Sequence, residues 1–181
     1  PRGAAVVAAF RRVEAGIGEA LARLEDRLAA DDLNSAFWSL GMRTSARNAL
    51  RGAVAAITPG AVNSEVVLDI GGGVEIVAIL TRRSIDDLGL EVGSSAIALI
   101  KSSFVVLAKG ENLRTSARNQ ITGVVRHRED GAVNCEVLLD IGGGKMLTAT
   151  ITRESADALE IAEDDKVTAL IKAPHVILAV E

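Results

Sequence analysis

The chain has 181 residues, with 49% hydrophobic and 24% charged residues and a formal net charge of −4. This composition is ordinary for a folded soluble chain, and the negative net charge argues against a general nucleic-acid binder. Aromatic residues make up only 2%, so the cores must be aliphatic and stacking platforms for single strands are scarce. One cysteine cannot form an internal disulfide, and no apolar run reaches the roughly 20 residues of a membrane span. We therefore expect a cytoplasmic protein without a membrane segment, and the start at Pro1 indicates a fragment or a processed form.

The first part of the chain shows the periodicity of an amphipathic helix. Its apolar stripe consists of Phe10, Val13, Ile17, Leu21, Leu24 and Leu28. A lone helix with one apolar stripe must pack on another surface to be stable, either on the rest of the chain or on a second copy. Because the stripe precedes the repeats described next and does not recur in them, we favour a dimerisation helix over residues 1–32, followed by a linker over 33–42.

The rest of the chain is an internal repeat with a constant offset of 71 positions, as from Arg43 to Arg114. The longest recurring segments are Arg43–Asn48 with Arg114–Asn119, Asn63–Gly73 with Asn134–Gly144, and Ala98–Lys101 with Ala169–Lys172. About half of the aligned positions are identical when the halves are paired as a repeat search requires. Two similar domains are therefore predicted, over residues 43–109 and 114–181.

Each repeat has the pattern of short strands broken by turn residues. In the first repeat, segments rich in Val and Ile lie at 53–57, 65–70, 76–81, 96–101 and 104–107. The run Gly71-Gly72-Gly73 lacks the Lys-Ser/Thr of a phosphate-binding loop and predicts a hairpin turn. A short helix should follow the third strand, with Ser84 or Ser155 as its N-cap and Asp86, Asp87 or Asp157 in its first turn. Five strands and one helix predict a mainly β fold of two small closed barrels of the OB type.

The residues that recur do not suggest an enzyme or a cation site. No His or Cys recurs in register, as a transition-metal site would require. The recurrent carboxylates are Glu65/Glu136, Asp69/Asp140 and Asp86/Asp157, and none has a sequence partner that suggests acid–base work. We therefore predict no catalysis, no cation and no nucleotide.

Hydrogen-bond donors recur instead. They are Thr44, Ser45, Arg47, Thr81, Ser84 and Lys101 in the first repeat, and Thr115, Ser116, Arg118, Thr152, Ser155 and Lys172 in the second. Hydroxyls and cations near the start of a helix are the components of an anion site. Simpler roles stay open for each residue alone, such as capping for Ser84 and a surface ion pair for Arg47. The recurrence of the whole combination favours an oxyanion site.

The recurring motifs together resemble the Mop, or TOBE-type, molybdate-binding domain. They are Thr-Ser-Ala-Arg-Asn, Gly-Ala-Val-Asn-x-Glu-Val, Thr-x-x-Ser and Leu-Ile-Lys followed by Ser or Ala. Two such domains in tandem occur in the di-domain molbindins and in the ModE-type molybdate-responsive transcription regulators. The residues before Arg43 are similar to the regulators. The resemblance thus implies two tandem Mop barrels behind a dimerisation helix, in the effector-binding part of a regulator. DNA would be contacted only through a winged helix that this chain lacks.

The resemblance also implies a molybdate site, open to tungstate, at the subunit interface of a homodimer. The matching positions are Ser45, Arg47, Thr81, Ser84, Lys101 and Ser102, and in the second copy Ser116, Arg118, Thr152, Ser155, Lys172 and Ala173. Ala173-Pro174 replaces Ser102-Ser103, but the second motif is otherwise complete, so the resemblance leaves room for additional sites beyond two anions per dimer. A site made only of donors suits a dianion, whereas partly protonated phosphate also needs an acceptor.

Three other functions compete with the regulator. A di-Mop molbindin for molybdate storage and homeostasis needs the tandem barrels but no dimerisation helix. An accessory domain of an anion-transporter ATPase would belong to a protein with nucleotide motifs, which this chain lacks. An oligonucleotide-binding barrel is disfavoured by the acidic balance and the scarce aromatic residues.

Overall fold

The computed structural model describes residues 44–110 and 113–180, so the predicted helix 1–32 and linker 33–42 lie outside the described residues. The elements of the first repeat are β1 (Asn48–Thr58), β2 (Asn63–Asp69), β3 (Glu75–Thr81), α1 (Arg82–Leu88), β4 (Ser95–Ile100), the 3-10 turn η1 (Ser102–Phe104) and β5 (Val106–Ala108). Those of the second are β6 (Asn119–Asp130), β7 (Asn134–Asp140), β8 (Met146–Thr152), α2 (Arg153–Ala158), β9 (Lys166–Ile171), η2 (Ala173–His175) and β10 (Ile177–Ala179). The predicted mainly β fold with two OB-like units is confirmed.

Each five-stranded sheet contains one strand from the other repeat. The strand orders are β10-β4-β1-β2-β3 and β5-β9-β6-β7-β8, and every pairing is antiparallel. Strand β5 leaves its own repeat through η1 and pairs with β9, while β10 leaves through η2 and pairs with β4. The expectation of five strands per unit was right, but the expectation that each repeat supplies all five of its own strands was wrong. The exchange ties the two repeats together.

Strand β1 begins five residues before the predicted segment 53–57 and changes neighbours along its length. Its first half pairs with β4 and its second half with β2, and the register shifts at a bulge between Val54 and Ala56. A bulge bends a strand, which lets one strand serve both sides of a small barrel. Gly52 lies at the tightest point, where an added Cβ would be 2.3 Å from the carbonyl oxygen of Asp69.

The core is aliphatic, as the composition predicts. Its largest fully buried side chains include Leu50, Leu68, Ile76 and Ile100 in the first repeat and Leu139, Leu147 and Ile171 in the second. They belong to one continuous cluster that spans both repeats. The exchanged strands contribute to it through Leu107 and Leu178, which are 5% exposed. Burial of these two side chains in the partner repeat stabilises the exchange.

The prediction for the glycine turn is confirmed, whereas the prediction for the helix starts is wrong. Gly71, Gly72 and Gly73 all have positive φ and link β2 to β3, so the predicted hairpin turn is confirmed. The helix starts were placed too late, because Thr81 and Thr152 are the N-caps and not Ser84 and Ser155. Each threonine Oγ1 accepts a hydrogen bond of 3.1 Å from the backbone N–H of the serine. Asp86, Asp87 and Asp157 consequently lie beyond the first turn of their helices.

Candidate functional site

Two buried asparagines join the repeats through backbone hydrogen bonds. The Asn48 side chain donates to the carbonyl of Thr148 at 2.8 Å and accepts from its N–H at 2.7 Å. Asn119 makes the same pair with Val77, at 2.9 and 2.6 Å. Each amide therefore binds to the third strand of the other repeat as a neighbouring strand would, and the two contacts are related by the 71-residue offset. Sequence analysis did not single out either asparagine, although both lie in the recurring motif.

Two ion pairs follow the same reciprocal pattern. Arg47 Nη2 lies 3.1 Å from Glu136 Oε2, and Arg118 Nη2 lies 2.8 Å from Glu65 Oε1. The arginine side chains are 64% and 60% exposed, so each pair stabilises the fold by only about 0–1 kcal/mol. The recurrent glutamates, for which the sequence suggested no partner, thus have one. The expectation of a site without carboxylates is wrong for the surroundings of both arginines, because folding brings a strand of the other repeat beside them.

A groove of about 550 Å³ runs between η1 and β5 of the first repeat and β8 and α2 of the second. Its polar lining includes Ser103, Asn134, Thr150, Thr152 and Ser155, and the rest is mostly aliphatic. At its edge the Thr150 hydroxyl donates to Ser102 Oγ at 2.8 Å. The hydroxyls of Thr152 and Ser155 lie 2.7 Å apart. Hydroxyls from the two repeats therefore converge within one chain.

The structure divides each predicted set of site residues between two regions. Because η1 packs on β8 and η2 packs on β3, Ser102 lies beside the strand that ends at Thr152, not beside its own Thr81 and Ser84. Thr81 and Ser84, whose hydroxyls are 2.8 Å apart, lie at the end of the strand that η2 covers. The residue at the start of each 3-10 turn thus lies beside a strand of the other repeat, which the sequence could not reveal because both repeats carry the same motifs.

Most of the remaining predicted residues are exposed, but Ala173 is buried. Ser45 and Lys101 are exposed in the first repeat. In the second, Ser116 and Lys172 line one cavity of about 190 Å³ together with Phe104 and His175. The rings of Phe104 and His175, which occupy equivalent positions in the two repeats, have centroids 4.6 Å apart. This contact therefore joins equivalent residues of the two repeats.

An ion network in the second repeat holds α2, which carries Ser155. Arg128 on β6 pairs with Asp130 and with Asp157 of α2, and it donates to the carbonyl of Ile161 at 2.9 Å. Hydrogen bonds that Arg128 donates to Asp130 and then to Asp157 raise the pKa of Arg128, and the guanidinium in turn lowers the pKa of Asp130. The network fixes the helix beside Thr152 without taking part in the groove.

The chemistry of the groove fits an anion better than a cation. Within residues 44–110 and 113–180, no three His, Cys, Asp or Glu side chains are grouped closely enough to hold a metal ion. The groove offers hydroxyl groups from the outer face of β7 and β8, and the guanidinium of Arg47 lies on that face as well. Among the described helices, none is both long and apolar enough to cross a membrane.

Comparison with known proteins places the chain in a family. The TOBE domain matches residues 44–107 and 115–178. Molybdenum-pterin-binding protein MopA of Rhodobacter capsulatus is 48% identical over 180 residues, which cover 98% of this chain and 68% of MopA. The DNA-binding transcriptional dual regulator ModE of Escherichia coli K12 is 33% identical over 156 residues, which cover 86% of this chain and 59% of ModE. This chain therefore spans about two thirds or less of either relative.

A solved structure agrees in fold over both repeats. The cytoplasmic molybdate-binding protein ModG, crystallised with molybdate bound, superposes with a TM-score of 0.74 at 40% sequence identity. The match covers 77% of this chain and all of the ModG chain. On these matches, and on the two domains found in its own fold, the chain belongs to the TOBE domain family and carries two TOBE domains in tandem.

Proposed function

We propose that this chain binds molybdate, and tungstate as its analogue, between its two repeats. The observation that carries the proposal is the meeting of Ser102 and Ser103 with Thr150, Thr152 and Ser155 across the exchanged strands. ModG supports it, because a protein of the same fold at 40% identity was crystallised with that anion. The chain acts by binding and not by catalysis, and it needs neither a cation nor a nucleotide.

The donor set explains why the ligand is a tetrahedral dianion. Hydroxyl groups and the guanidinium of Arg47 donate to oxygens, and charge-assisted bonds of this kind are stronger than neutral ones. Lys101, on the same repeat as Arg47, adds a second positive charge. In a cavity sized for molybdate, the oxygens of the smaller sulfate lie farther from the donors, so the hydrogen bonds to sulfate are too long. Glu136 supplies an acceptor that a protonated phosphate could use, so a lack of acceptors does not exclude phosphate. Phosphate must therefore be rejected by its size as well.

The proposal predicts that Arg47→Ala and Lys101→Ala weaken molybdate binding in calorimetric titration. A hydrogen bond to a charged group contributes about 1.5–3 kcal/mol, so each variant should lose about 10-fold to 100-fold in affinity. Arg83→Ala and Lys166→Ala are matched controls, because both side chains are exposed and line none of the described grooves. They should bind as the unchanged protein does. Unchanged affinity in both Arg47→Ala and Lys101→Ala would reject the site.

For the whole protein we propose a cytoplasmic role in molybdate storage and homeostasis, as a homodimer. MopA, at 48% identity over nearly the whole of this chain, favours it. The effector region of a transcription regulator is the second candidate, favoured by the match to ModE over 86% of the chain. One measurement on the full-length gene product distinguishes the storage protein from the regulator. It is the binding of that product to the DNA upstream of its own gene, with and without molybdate. A regulator shows molybdate-dependent binding there, whereas a storage protein shows none.

A further inference from the structure

A recurrent carboxylate holds the arginine that the proposed function assigns to the anion. Glu136 lies on β7 and accepts a hydrogen bond of 3.1 Å from Nη2 of Arg47. We propose that Glu136 is an affinity-setting residue, because its carboxylate competes with the oxyanion for the guanidinium of Arg47 and also repels the oxyanion. The chain thus carries its own competitor for molybdate. This inference rests on the proposed function and adds to it a residue that weakens binding.

The strand register places Glu136 beside the groove. Residues that face each other on neighbouring antiparallel strands lie on the same face of the sheet. Glu136 faces Thr150 of β8, just as Asn134 faces Thr152. Asn134, Thr150 and Thr152 all line the groove of about 550 Å³. Glu136 therefore lies on the groove face of the sheet, one strand away from Thr150.

The ion pair is weak enough for an oxyanion to displace it. The side chains of Arg47 and Glu136 are 64% and 35% exposed, and exposed pairs of this kind contribute little to stability. An oxyanion offers the guanidinium the same kind of charge-assisted hydrogen bond as the carboxylate does. Moving Arg47 from one acceptor to the other exchanges like for like, so the carboxylate lowers the net gain in affinity from this arginine.

The charges on this face also oppose a dianion directly. Glu136 has a second carboxylate, Glu129, opposite it on β6, whereas the equivalent Glu65 has Thr58 there. The two carboxylates outnumber the guanidinium of Arg47. At about 7 Å in water, a unit negative charge repels a dianion enough to lower its affinity about 10-fold. The same repulsion speeds release, since affinity differences between related complexes lie mostly in the dissociation rate.

The test is calorimetric titration of the intact chain with molybdate. Glu136→Gln keeps the size of the side chain but removes its charge. It should tighten binding about 10-fold, and the gain should shrink as added salt screens the charges. Glu91→Gln is the matched control, because it removes the same charge from an exposed residue that precedes β4, at the opposite end of that strand from η1. The control should bind as the unchanged chain does.

A double-mutant cycle separates competition for the arginine from an orienting role of the glutamate. Competition predicts that Arg47→Ala loses about 3-fold more affinity in the Glu136→Gln background than in the unchanged chain. An orienting role predicts the opposite, because Glu136→Gln would then weaken binding by itself. Equal losses from Arg47→Ala in the two backgrounds would overturn the competition.

The failure of this inference differs from the failure of the proposed function. Tighter binding in Glu136→Gln, with Glu91→Gln unchanged, supports the inference. Unchanged or weaker binding in Glu136→Gln overturns it, while molybdate binding by the unchanged chain still stands. If the unchanged chain binds no molybdate, the proposed function fails and the inference fails with it.

Discussion

Three aspartates of the second repeat have pKa values lowered by nearby hydrogen-bond donors. Arg128 lowers the pKa of Asp130, the backbone N–H of Gly142 and then Arg126 lower that of Asp140, and Lys109 and then the N–H of Ala162 lower that of Asp165. Lys109 follows the exchanged strand β5 and lies 2.8 Å from Asp165. The pair therefore fastens the end of that strand to the other repeat.

These shifts predict that acid destabilises the fold. Each folded pKa is below the unfolded value of about 3.9, so the stabilisation is complete above that value and is lost as the pH falls through the folded pKa. The urea midpoint measured by far-UV circular dichroism should stay level above about pH 5 and decline below about pH 4. Asp140→Asn should show a shallower decline. A midpoint that rises on acidification would contradict the assignment of these contacts.

Residues that sequence analysis missed were missed for a physical reason. Thr150 and Ser103 are replaced by Ile79 and Pro174 in the other repeat, so a search for recurring donors passes over them. Asn48 and Asn119 do recur, but a recurring polar side chain gives no sign of whether it faces a ligand or a neighbouring backbone. A buried amide that loses its partners costs about 1–3 kcal/mol, which is reason enough for both to be present.

At the scale of elements, the two glycine turns meet and their contact can be tested. Gly72 has φ of +67°, and an added Cβ would lie 3.3 Å from the Cα of Gly143. Gly71 has φ of +83° with nothing within 4 Å of such a Cβ. Both alanine variants should lose about 1–2 kcal/mol of unfolding free energy to left-handed strain. Gly72→Ala should lose more in urea titration, because it also pushes on the other turn. Equal losses would mean that the turns are apart in solution.

Most elements follow from their residues, but their pairing does not. The Val- and Ile-rich segments, the helix after β3 and the glycine turns lie close to where their patterns predict. The exchange of β5 and β10 could not be foreseen, because Ala98–Ile100 and Ala169–Ile171 are identical and offer either strand the same edge. The course of the chain through η1 and η2 determines the edge with which each of these strands pairs. The helix caps were misplaced because Thr81 and Thr152 both end a strand and begin a helix.

For the whole molecule, the exchange of β5 and β10 turns two similar halves into one unit. The sequence predicts a set of donors and, through its family resemblance, an anion, and it groups Ser102 with the hydroxyls of its own repeat. The structure pairs Ser102 with Thr150 of the other repeat.

The most direct test of this account is the anomalous diffraction signal of molybdenum in crystals grown with molybdate. We expect the strongest peak between the repeats, within hydrogen-bonding reach of Ser102, Ser103 and Ser155 and beside Arg47. Molybdenum found only away from these residues would contradict the account.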